Sequence, residues 1–141
     1  MIDMVTFLLL FLAAYIGVSA LGFGLYLLIS KAKGTSPWDE VEVKDNSSYQ
    51  LAQKYLPLIN LIVWTMCAWV YFSYVAGSTQ SALLLGLLWL IGALLVDYIG
   101  FVVIKHPLSL DHKGFYAHQF PWIYFTYFAV FIAPLLAVLL R

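Results

Sequence analysis

Four runs of apolar side chains, separated by three polar intervals, organise this chain. They cover residues 4–30, 57–77, 82–104 and 121–140, and each holds at most one carboxylate or basic side chain. An α-helix needs about 20 apolar residues to cross roughly 30 Å of hydrocarbon. Each run therefore predicts a transmembrane helix, and the fold class is all-α: an integral membrane bundle of four helices forming a single domain over residues 1–141. What remains is a tail of three residues, two loops of moderate size and one short turn. None of these has room for a soluble domain.

Composition agrees. Of the 141 residues, 64% are hydrophobic and 10% charged, whereas soluble domains sit near half and a quarter. The formal net charge is zero, so nothing suggests a nucleic-acid-binding surface. Cys67 is the only cysteine, so an internal disulfide and dithiol chemistry are both excluded. Val18-Ser19-Ala20 resembles a signal cleavage site, but a signal peptide opens with basic residues. Here only Asp3 is charged before the first run, so the first helix is expected to stay uncleaved.

Lysines set the expected orientation. Lys31, Lys33, Lys44 and Lys54 fall between the first two helices, and Lys105 and Lys113 between the last two. Against these six, the opposite face carries only Arg141. Basic residues near helix ends favour the cytoplasm, so the two longer loops are expected to be cytoplasmic. The N-terminus, the C-terminus and the turn over 77–81 are expected outside. A bacterial inner (plasma) membrane is the plain expectation. Asn46-Ser47-Ser48 then makes a poor glycosylation acceptor, because its loop faces the cytoplasm.

Along the first helix, Ala13, Gly17, Ala20 and Gly24 recur at spacings of four, three and four, one stripe of a helix. Small residues let membrane helices approach closely, and this stripe is expected to be the packed face. In the first loop, the acidic run Asp39-Glu40-Val41-Glu42-Val43 reads as solvated. Ser47 with Gln50 suits a capping box, beginning a helix that runs through Tyr55 towards Pro57. Tyr71 and Tyr74 at one membrane boundary, and Trp122 and Tyr124 at the other, are expected to anchor at headgroups. Pro134 is expected to bend the fourth helix.

Asp97 is the residue that asks for a function. It lies about 12 Å inside its helix, at 1.5 Å per residue, where a carboxylate costs ~2.5–3.5 kcal/mol on insertion scales. Gly86, Ala93 and Gly100 share its helical face, so it is expected to point into the bundle. Counting inward from the lysine-rich ends brings other polar groups to similar depth. The expected cluster is Asp97, Asn60, Thr65, Thr126, Tyr127 and Tyr26, with Ser19 nearby.

The second loop gathers Lys105, His106, His112, Lys113 and His118. Histidine is a common metal ligand, but this spacing matches no zinc signature, so neither a metal nor another cofactor is expected. An interfacial loop or a rim for anionic headgroups is the alternative. The chain also lacks a carboxylate in the first helix, an aspartate pair within the membrane, a cysteine pair, and histidines inside helices. No family resemblance emerges.

Three functions stay open. The first is an accessory, assembly or regulatory subunit that binds a membrane-protein partner within the bilayer. The second is a transporter or channel, working as a homo-oligomer and using Asp97. The third is an enzyme acting on a lipid at the cytoplasmic interface.

Overall fold

The computed structural model describes residues 3–37, 45–105 and 109–141. The acidic run over 39–43, Lys44 and His106 lie outside these. Four helices dominate the described residues: α1 (Met4–Ala32), α2 (Ser47–Tyr74), α3 (Thr79–Asp97) and α4 (Trp122–Leu139). A π-helical segment, Tyr98–Val103, continues α3, and a second, Lys113–Ala117, lies in the last loop. All four helical stretches are long and apolar enough to cross a membrane.

Three of the four helices start where a side chain replaces the missing backbone acceptor, while α4 follows Pro121 without a side-chain cap. Asp3 accepts from the Thr6 amide at 3.2 Å and also from the Thr6 hydroxyl, which holds the Asp3 carboxyl below its ordinary range. Asn46, rather than Ser47, caps α2 by accepting from Tyr49 N at 3.0 Å. An amide one residue upstream has taken the role expected of the Ser47–Gln50 pair. The helix then runs unbroken through Pro57, so the cap and the second apolar run belong to one element. A Ser78–Ser81 capping box starts α3 three residues before its apolar run.

α2 packs on α1 and on α4, and α4 packs on α3. α1 and α3 have no comparably close backbone approach and meet mainly through side chains. At the end of the bundle holding both termini, these side chains form an aromatic layer. Trp64 and Trp89 stand 5.1 Å apart, with Phe11 and Tyr71 against them, and both indoles are fully buried. Alanines make room for the rings: Ala14, Ala68, Ala82, Ala133 and Ala137 are all 0% exposed. At Gly86 an added Cβ would run into the Phe131 carbonyl, so glycine is what lets α3 and α4 touch there. Arg141 closes this end by donating to the Phe72 carbonyl near the C-terminus of α2, where a cation suits the helix dipole.

Two expectations about faces are corrected. The packed face of α1 is Phe11, Ala14 and Val18. Ala13 and Ala20 of the small-residue stripe are exposed, and a Cβ on Gly24 would meet nothing within 4 Å. Large rings fill the space between α1 and α3, while α1 lies close to α2, where a Cβ on Gly22 would run into Leu56 and one on Gly17 would touch Val63. Tyr71 is buried against Trp89 and Phe72 and forms part of the aromatic layer, while Tyr74, at 76% exposure, stays at the surface.

Candidate functional site

Below the aromatic layer, towards the two longer loops, the bundle is hollow. A cavity of about 490 Å³ lies between α1 and the α3 end, with α2 and α4 forming its floor. Asp97, Tyr15, Trp64 and Val130 line one end, and Pro37, Asn46 and Ser109 rim the other. Between them the wall is largely apolar, from Val18, Leu56, Phe101, Leu110, Phe115 and Ile123. Ligand pockets typically fall between about 300 and 1,000 Å³ and combine apolar walls with a few polar groups. This cavity has both properties.

Asp97 is the last α-helical residue before the π-helical segment. Its carboxyl accepts from Tyr15 of α1 on Oδ1 and from Tyr127 of α4 on Oδ2, the latter at 2.7 Å. Two hydroxyls from two other helices therefore meet one carboxyl, and no cation among the described residues joins them. The π-helical segment has wider turns than an α-helix, and it packs through Val102 against Phe115, Ile123 and Tyr127. Gly86 and Ala93 pack as expected, but a Cβ on Gly100 would meet nothing within 4 Å.

Ser19 also lines the cavity, and most of its other polar side chains are already engaged with protein. Asn60 donates to the Leu56 carbonyl and accepts from Trp64 Nε1, both at 2.9 Å. The Thr126 hydroxyl donates to the Trp122 carbonyl at 2.9 Å. At the rim, Tyr26 donates to the Pro37 carbonyl and accepts from Asn46. Tyr49 donates to Gln119 Oε1, and Gln119 Nε2 donates to the Phe115 carbonyl. One acceptor stands apart: Gln53 Oε1 is buried and has no hydrogen-bond partner among the described residues.

The structure thus brings Asp97, Tyr127, Asn60, Thr126 and Tyr26 to one cavity, though only Tyr127 touches the carboxyl. Thr65 does not line the cavity; its hydroxyl is buried elsewhere, with no hydrogen-bond partner among the described residues. Tyr15, the second tyrosine on Asp97, escapes a depth count made from the sequence, because such a count takes the helices to end at a common level. In the bundle, Phe7 packs on Trp89, a Cβ on Gly92 would meet Phe11, and Tyr15 reaches Asp97. α1 is therefore shifted along α3 by about seven residues, or ~10 Å at 1.5 Å per residue. Helix spacing alone carries a signal: Phe7, Phe11 and Tyr15 recur every fourth residue and mark one face.

The loop candidates separate from one another. Lys105 donates to the Val102 carbonyl at 3.1 Å. His112 lies against Tyr98, ring centres 5.5 Å apart. His118 lines a second hollow of about 340 Å³ with Lys54 and Trp122, and Lys113 is exposed. Among the described residues, no three His, Cys, Asp or Glu side chains gather as metal ligands would. The loop is held to the bundle by backbone and packing instead. Leu110 N donates to the Phe101 carbonyl at 2.8 Å, Gly114 N donates to Asp111 Oδ1 at 2.7 Å, and Phe115 stacks on Phe101. Comparison of the chain with protein-family models, with curated proteins and with solved structures finds no match.

Proposed function

We propose that this chain is an integral membrane protein that binds a single-chain amphiphile of the lipid class in the cavity beside Asp97. The observation that carries this reading is the cavity itself, apolar along its walls and polar at Asp97. On the orientation that the lysines favour, the cavity opens towards the cytoplasmic face and both termini lie outside. A bacterial inner membrane suits that arrangement. Weak backbone contact between α1 and α3 supports entry from the bilayer between these two helices.

Of the three functions the sequence leaves open, this is the binding half of the third, with no reaction attached. The packed aromatic layer argues against a through-path inside one copy, so transport would need a second copy or another conformation. A membrane-protein partner is compatible with ligand binding, but no particular surface favours one.

Photolabelling in lipid nanodiscs tests the proposal, using a twelve-carbon alcohol that carries a diazirine. Adducts at cavity residues such as Val18, Leu56 and Phe101, suppressed by excess unlabelled dodecanol, are expected. Adducts confined to outward-facing residues such as Leu9 and Leu28, unaffected by dodecanol, would overturn it.

A further inference from the structure

We infer that the amphiphile bound beside Asp97 carries a hydrogen-bond-donating head, and specifically a protonated amine. This rests on the amphiphile-binding reading and adds to it the chemistry of the head. The inference comes from which hydrogen-bonding capacity the cavity has left. Apart from the Ser19 hydroxyl, which also lines the cavity, its donors are largely spent on the protein: Tyr15 and Tyr127 on Asp97, Tyr49 on Gln119, and Asn60 on the Leu56 carbonyl. What remains is mainly accepting capacity. A carboxylate offers about four lone-pair sites, and Asp97 uses one on each oxygen for a tyrosine. Gln53 Oε1 is a second acceptor, buried in the same wall with nothing bonded to it among the described residues.

An ammonium group supplies three donors and no acceptor, which complements this leftover set. It also brings positive charge to Asp97, the acidic side chain that lines the cavity among the described residues, a charge-assisted pairing roughly twice as strong as a neutral one. A carboxylate or phosphate head does the opposite: it offers acceptors to acceptors and places like charges together. A hydroxyl head falls between, donating once without charge.

Displacement of the diazirine alcohol by dodecylamine, dodecanol and dodecanoate at neutral pH tests this, with competitor concentration expressed per bilayer lipid. The amine should displace the label at least about tenfold more effectively than the carboxylate, with the alcohol between them. In Asp97→Asn the amine's advantage over the alcohol should vanish while dodecanol still displaces, which also shows that the variant is folded. Gln53→Met should weaken both amine and alcohol by a smaller factor. Equal or better displacement by dodecanoate, or an undiminished amine preference in Asp97→Asn, overturns the inference and leaves amphiphile binding standing. Failure of all three to displace the label overturns amphiphile binding as well.

Discussion

The two ends of this bundle solve the same packing problem in opposite ways. At the end with the termini, rings and alanines interlock until Trp64, Ala68, Trp89 and Ala133 have no exposure at all. At the end with the longer loops, α1 and the α3 end stand apart, and a largely apolar wall with a few polar side chains lines the gap. Hydrophobic driving force is nearly absent between helices in lipid, so association rests on close packing and interhelical hydrogen bonds. The aromatic layer uses the first of these and Asp97 with its tyrosines the second. A dense layer can hold four helices together while leaving the other half hollow.

The contrast is sharpest where a large ring is removed. Trp89→Ala should destabilise by ~3–5 kcal/mol, the usual range for emptying a core site of this size. Thermal unfolding in mild detergent should show a midpoint below those of Ala68→Leu and Asp97→Leu. A midpoint near wild type would mean that the aromatic layer does not hold the bundle.

A matched pair on α2 compares the halves directly. Ala68 lies in the aromatic layer and Ala52 on the cavity wall. Ala68→Leu should cost ~1–3 kcal/mol, because inserted methylenes have nowhere to go. Ala52→Leu should leave the midpoint within about 0.5 kcal/mol and reduce photolabelling of the cavity. Equal destabilisation of the two would show that the loop end is as full as the other.

Asp97→Leu probes the polar link. It leaves the Tyr15 and Tyr127 hydroxyls without their acceptor, a loss of ~1–3 kcal/mol, whereas Asp97→Asn keeps an acceptor oxygen and should lose less. Detergent melting of the two variants side by side checks the order, and the reverse order would contradict the assigned hydrogen bonds. The smallest effect belongs to Gly100→Ala. A Cβ there meets nothing within 4 Å, so the change should be neutral or stabilising by up to about 1 kcal/mol. Gly86→Ala, which meets the Phe131 carbonyl, should destabilise in the same assay.

The apolar runs made four helices legible because hydrocarbon thickness leaves few alternatives for stretches of that length. The inward aim of Asp97 was legible too, from the small residues on its face and the cost of leaving a carboxyl in lipid. What the sequence hid was relative placement along the bundle. The ~10 Å shift of α1 against α3 puts Tyr15 on Asp97, and no local pattern encodes that shift. The π-helical segment after Asp97 is equally silent, since Tyr98–Val103 has the composition of any apolar helix end. The small-residue stripe of α1 misled for a different reason. Small residues permit close approach, but in this bundle the bulky face of α1 wins because Phe7, Phe11 and Tyr15 bridge a gap that backbone contact leaves open.

Thiol labelling tests the hollow half most directly. With Cys67→Ser as background, Ala52→Cys places a thiol on the cavity wall and outside the packed layer, and Ala133→Cys places one in the aromatic layer. Aminoethyl methanethiosulfonate, small and cationic, should modify the folded Ala52→Cys protein and spare Ala133→Cys until it is unfolded. Protection of both thiols in the folded protein, or equal modification of both, would contradict a cavity beside Asp97.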